Sequence, residues 1–76
     1  MATKAFVLIE TAVGKNKEAA NELRQLKGVK AVDTVTGPYD IIVVAEGKTL
    51  DDIGELVTAK IHSIPNISRT VTCLAI

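Results

Sequence analysis

The 76-residue chain contains one cysteine, one histidine, no tryptophan, and only one phenylalanine and one tyrosine. Cys73 stands alone, so no disulfide can form within the chain. Cys73 and His62 are the whole supply of soft ligands, and a structural metal site is not expected. Nine Lys and Arg face nine Asp and Glu, for a formal net charge of zero. That balance offers no electrostatic footprint for nucleic acid or for an acidic membrane surface. The longest apolar run, Ile41-Ile42-Val43-Val44-Ala45, is far too short to span a bilayer. Met1-Ala2-Thr3-Lys4 leads directly into a strand-like segment without a cleavable signal pattern. A lone cysteine and no signal point to the reducing cytoplasm.

What is present fits one domain over residues 1–76, with no linker and no low-complexity stretch. A chain this short buries only about 60% of the surface its unfolded form exposes. Small domains often add a disulfide, a metal or a partner chain to compensate. With the first two excluded, a partner chain is the expected supplement. The hydrophobic fraction, 47%, is high for so small a domain and agrees with that.

Six segments follow one another. Lys4 to Thr11 is rich in β-formers and reads as a strand, ended by Gly14. From Lys15 to Leu26, Ala19, Ala20, Leu23 and Leu26 recur at helical spacing, and Gly28 sits where a left-handed C-terminal residue is wanted. Val29 to Thr36 and Ile41 to Glu46 read as strands joined by the turn residues Gly37-Pro38-Tyr39-Asp40. Thr49-Leu50-Asp51-Asp52 matches a helix start, and Leu50, Ile53, Val57, Ile61 and Ile64 continue it until Pro65. Ile67 to Ile76 is the last strand. The order βαββαβ predicts an α+β, ferredoxin-like sandwich: a four-stranded antiparallel sheet with two helices on one face.

In the first and third strands the alternation is apolar on both sides: Ala5, Val7 and Ile9 against Phe6 and Leu8, and Ile41 and Val43 against Ile42 and Val44. Two helices cover one face of a sheet. The other face would be an apolar patch of several hundred Å², which a soluble monomer rarely exposes. A second protomer packed on that face resolves the conflict. The alternative is a tolerated greasy face.

No catalytic constellation is visible. His62 lies off the apolar helical stripe and reads as a solvated surface histidine. Cys73, among Thr72, Leu74 and Ala75, reads as a buried structural thiol with no activating charge near it in sequence. Copper chaperones share this topology but need a second cysteine. Acylphosphatases share it too, yet the segment after the first strand, Thr11-Ala12-Val13-Gly14-Lys15, has one glycine and no arginine. No enzyme activity and no cofactor are expected.

Two segments hold candidate site residues. In Gly37-Pro38-Tyr39-Asp40, turn punctuation explains Gly, Pro and Asp. It does not explain the only tyrosine, whose ring and polar tip suit a small pocket or an interface. Asp40 could accept from backbone N–H groups or from a ligand ammonium. In the last strand, Ser68, Thr70 and Thr72 fall on one face, as a solvated edge or as the lining of a polar pocket.

These residues carry a resemblance. Gly37-Pro38-Tyr39-Asp40 fits a G-x-Y-D pattern, and Ile61, Ile64, Pro65, Ile67, Thr70 and Thr72 fit an I-x-x-I-P-x-I/V-x-x-T-x-T ending. Over nearly its whole length the chain resembles the ligand-binding RAM domain of the Lrp/AsnC (feast/famine) transcription regulators. Asn66 stands where that family often has glycine, and Asn also enters the left-handed region. The resemblance implies dimers made by packing sheets face to face, rings of dimers such as octamers, and amino-acid effectors bound between dimers. It implies a ligand site of Gly37, Tyr39, Asp40, Thr70 and Thr72. Full-length members carry a helix-turn-helix domain ahead of this module; here none is seen, so the expectation is a stand-alone RAM protein without DNA binding of its own.

The expected function is an amino-acid-binding accessory regulator in the cytoplasm, associating with itself and with a full-length Lrp/AsnC regulator. One alternative is a purely structural oligomerisation module with no ligand. Another is a small dimeric α+β-barrel enzyme, which a polar cleft holding His62 would support.

Overall fold

Alternating burial sets the first strand. In the computed structural model, which describes residues 2–76, β1 (Thr3–Thr11) buries Ala5, Val7, Ile9 and Thr11 on one face. Lys4, Phe6, Leu8 and Glu10 alternate onto the other. Helix α1 (Asn16–Arg24) follows and buries Ala19, Ala20 and Leu23. It is shorter at both ends than the expected 15–26. Beyond Arg24 the chain tightens, with Gln25 N–H donating to Glu22 C=O and Leu26 N–H to Leu23 C=O, each three residues back. Gly28 then turns at φ +98°, in the left-handed region expected of it.

β2 (Val29–Thr34) and β3 (Ile41–Gly47) form a hairpin, with an irregularity between Val29 and Ala31. Helix α2 (Leu50–Glu55) begins at the capping box read from the sequence: Asp52 N–H donates to Thr49 Oγ1, and Asp52 Oδ2 accepts from the backbone of Thr49 and Lys48. It runs on into a π-helical turn, Leu56–Ile61, closed by His62 N–H donating to Val57 C=O at 3.0 Å. Ile53, Val57, Ile61 and Ile64 of the expected stripe are buried, and Leu56 joins them. Leu50 does not: it is 57% exposed, because it is the first helical residue and precedes the turn that carries Ile53 into the core. Asn66 takes φ 72°, in the left-handed region that Asn enters more readily than most non-glycine residues. β4 (Ile67–Leu74) completes the chain's regular structure.

The sheet order is β2-β3-β1-β4, antiparallel throughout, so the fold is the expected ferredoxin-like α+β sandwich. β1 and β3, the most apolar strands, are central. Val7 opposes Val43 and Ile9 opposes Ile41 on the face that buries the core with both helices.

The opposite face is apolar and uncovered. Leu8, Ile42, Val44 and Val71 are half-buried there, and Phe6 is 37% exposed. Lys4 Nζ rests 5.3 Å from the Phe6 ring centroid. Cys73 opposes Phe6 in the register and is exposed, which corrects the expectation of a buried thiol. The cause is positional: β4 is an edge strand, and the pleat directs residue 73 away from the helices.

Candidate functional site

Gly37, Tyr39, Asp40 and Thr70 lie toward the sheet end where β1 ends, β3 begins and β4 begins, while Thr72 lies further along β4, opposite Val7. The β2–β3 loop is closed by Val35 N–H donating to Asp40 C=O at 2.9 Å, and Asp40 N–H donates to Ile9 C=O at 2.9 Å. The Asp40 carboxylate then replaces the next rung of the ladder. Its Oδ2 accepts from Thr11 N–H at 2.8 Å and from the Thr11 hydroxyl at 3.3 Å. Among the described residues Oδ1 makes no hydrogen bond. Asp40 and Tyr39 are half-buried, while Gly37 is exposed with φ +141° and open space where a Cβ would stand.

Thr70 and Thr72 lie on the helix side of β4, opposite Ile9 and Val7. The strict alternation expected to carry Ser68 onto their face is interrupted before Arg69. The register passes from Glu10–Arg69 to Thr11–Ile67, which leaves Ser68 as the extra residue of a bulge, its hydroxyl donating to Glu10 C=O at 3.0 Å. Thr70 is in the same register row as Ile9 and Ile41, one residue from the row of Asp40. Two strand spacings put the Asp40 and Thr70 backbones roughly 10 Å apart. Thr72 is two residues further along. Within one protomer the turn and the hydroxyls therefore do not touch.

The residue that does touch Thr70 is His62. Its Nε2 lies 2.8 Å from Thr70 Oγ1. The histidine is exposed, as read from the sequence, but not unpartnered. Thr11, too, was not singled out beforehand. Its signal was faint: a buried hydroxyl at the last position of an otherwise apolar alternation.

Surface cavities formed by the described residues lie elsewhere. One of about 360 Å³ is at the opposite sheet end, lined by Lys27, Lys48, Lys60, Glu46, Glu55 and Leu56 among others. One of about 440 Å³ runs between α1 and the π-helical turn, and one of about 530 Å³ borders Lys30 and Lys48. None is lined by Gly37, Tyr39, Asp40, Thr70 or Thr72. Among the described residues no cluster of three or more His, Cys, Asp or Glu could hold a metal ion, and no helix is long and apolar enough to cross a membrane.

The chain is a ferredoxin-like α+β domain with one open apolar sheet face and a polar loop cluster at a sheet end. Comparison with known proteins makes this specific. The family model of the Lrp/AsnC ligand binding domain matches residues 4–76, and the chain belongs to that family. A hypothetical protein of Pyrococcus horikoshii has a solved structure that superposes with TM-score 0.91 at 41% identity, covering 100% of this chain and 90% of that one. A Thermus thermophilus protein superposes with TM-score 0.93 at 32% identity, covering 97% and 92%. An HTH-type transcriptional regulator of Pyrococcus furiosus is 30% identical over 78 residues, which take in 99% of this chain and 52% of the regulator. The chain thus spans about half the length of the curated relatives it matches.

Proposed function

We propose that this domain binds a free amino acid at the sheet end marked by Gly37, Tyr39, Asp40, Thr70 and Thr72, and that it does so as an assembly of dimers. In this reading it is a non-enzymatic accessory regulator of the cytoplasm. It makes no DNA contact through these 76 residues and acts through itself or through a full-length Lrp/AsnC partner. Two protomers join through the open sheet faces. Pairs of dimers, closing into a ring such as an octamer, bring the turn of one chain to the β4 hydroxyls of another.

The observation that carries the reading is the Asp40 carboxylate. Thr11 fixes Oδ2 from two donors, so Oδ1 is held in place and available as an acceptor for an ammonium. A zwitterion also needs donors for its carboxylate, and the hydroxyls of Thr70 and Thr72 are of that type. Two structures of this fold support the ligand class. A feast or famine regulatory protein from M. tuberculosis was solved with L-methionine (TM-score 0.81, 19% identity), and a Neisseria meningitidis transcriptional regulator as an L-Met complex (TM-score 0.86, 16% identity).

One observation favours a second reading, an assembly module without ligand: Asp40 already has a structural partner in Thr11. A thermal-shift screen of the proteinogenic amino acids separates the two. A ligand at a hundred times its dissociation constant adds about 2.7 kcal/mol of stability. The amino-acid reading expects at least one clear rise in Tm. No rise with any amino acid leaves the assembly module. The barrel-enzyme reading gains nothing from His62, which faces Thr70 and lines none of the three cavities.

A further inference from the structure

His62 stands immediately after the π-helical turn, and its ring reaches across to the edge strand. Nε2 and Thr70 Oγ1 are 2.8 Å apart, a good hydrogen-bond distance. The pair is the one side-chain hydrogen bond among the described residues that ties a candidate ligand-binding hydroxyl to an imidazole.

The surroundings of the ring are simple. Among the described residues the only ion pair within 4 Å joins Lys15 to Glu18, so no carboxylate neutralises His62. On its own helical arm the nearest charge in sequence is Lys60. On β4, Arg69 precedes Thr70, and it pairs in register with Glu10 of β1; alternation places both on the other face of the sheet. The helix-side residue of β1 opposite Thr70 is Ile9, and Ser63 to Asn66 carry no titratable side chain.

A threonine hydroxyl has one proton to give and two lone pairs to offer. A neutral imidazole meets it in either sense. With the proton on Nδ1, Nε2 is an acceptor and consumes the hydroxyl proton, leaving Thr70 to present only lone pairs. A protonated ring has no acceptor. It must donate through Nε2–H to Oγ1, which frees the Thr70 proton for another oxygen and sets a positive charge one hydrogen bond behind it. Both changes favour a carboxylate in contact with Thr70.

We propose that His62 is a positioning residue of the amino-acid site: in its protonated form it orients the Thr70 hydroxyl to donate to the ligand carboxylate, so that binding takes up a proton and tightens as the pH falls. This rests on the reading of Thr70 as part of an amino-acid site. It adds a residue to that site and a direction of pH dependence.

The test uses the full chain and each proteinogenic amino acid except histidine, which titrates itself. Thermal shifts are recorded at about pH 5.5 and about pH 8 for the wild type, His62→Gln and His62→Leu. Any amino acid that binds is then titrated calorimetrically in two buffers of different ionisation enthalpy. The main charges of the free zwitterion persist over this range, and His62 is the only histidine in the chain. The wild type is expected to bind roughly three- to tenfold more tightly at the lower pH, with net proton uptake. His62→Gln, whose amide can donate to Thr70 but never titrates, is expected to bind with neither the pH dependence nor the uptake. His62→Leu is expected to bind more weakly at both pH values. Light scattering at both pH values checks that the assembly is unchanged. Wild-type binding with no pH dependence, or with the same dependence in His62→Gln, overturns this inference and leaves the amino-acid site standing. Absence of any amino-acid binding at either pH overturns both.

Discussion

Asp40 combines an observed structural role with the proposed binding role in a single side chain. Its backbone N–H extends the β1–β3 ladder through Ile9, and one carboxylate oxygen holds the end of β1 through Thr11. Asp40→Ala leaves the partly buried Thr11 N–H without its partner, at an expected cost of about 1–3 kcal/mol. The same change removes the proposed ammonium acceptor and should weaken amino-acid binding roughly ten- to a hundredfold, at about 1.4 kcal/mol per tenfold. Thr11→Val separates the two effects. It loses the 3.3 Å hydroxyl contact but keeps the backbone bond, so it should lower stability while leaving affinity near that of the wild type. Calorimetry on folded Asp40→Ala and Thr72→Val decides the matter: if both bind normally, the site lies elsewhere. At this scale the sequence was legible wherever backbone conformation picks the residue, as at Gly28 and Asn66. It was misleading at Cys73, because edge position and pleat, not local hydropathy, put that thiol in solvent. The His62–Thr70 contact was hidden for another reason. It depends on where the end of a helix meets a strand, which no spacing rule supplies.

At the scale of elements, the strands were legible because their period is short and β-branched residues mark them. The start of α2 was legible from its capping box. The π-helical turn was not. It adds one residue to a helical turn, and the apolar spacing Ile53, Val57, Ile61 reads equally well as α-helix. The β4 bulge escaped for the same reason: one extra residue at Ser68 shifts the face of everything before it. Two glycines next to and inside α2 test the description. Gly54 is an exposed helical residue with nothing within 4 Å of an added Cβ, so Gly54→Ala should stabilise the domain by up to about 1 kcal/mol. Gly47 is the opposite case. An added Cβ would stand 2.6 Å from Asp52 Cβ, at the residue that holds the capping box, so Gly47→Ala should destabilise by about 1–3 kcal/mol. Urea denaturation of both variants checks the pair. Equal effects of the same sign would mean that the Gly47–Asp52 approach is wrong.

For the whole molecule, the feature that matters most is the sheet face no helix reaches. Leu8 and Val44 sit diagonally across the central strand pair on that face, with Ile42 and Val71 beside them. A dimer is expected at micromolar concentration by light scattering, and a clean monomer would refute the proposed sheet-to-sheet packing. Leu8→Lys places an ammonium at the centre of that face and should dissociate the assembly while leaving the helix-side core, which Leu8 does not enter, intact. The conflict between two apolar strand faces and only one helical layer was legible from the alternation alone. How the proposed ligand site would be completed was not, because Asp40 and Thr70 stand roughly 10 Å apart in one chain, and a sequence does not show how copies would meet.

The strand order also dictates a schedule. β1 is the first strand to be made, yet it lies between β3 and β4, and its second neighbour is the last strand. During synthesis the apolar edge of β1 must wait, unpaired, until residues 67–74 have left the ribosome. The pairing that closes the sheet spans more than sixty positions, from Ala5 to Leu74. Such long-range closure slows folding relative to local pairing. A nascent chain stalled before β4 would expose an unpaired edge on one of its two most apolar strands, the form in which a small domain is most open to capture by a chaperone or by another unfinished copy.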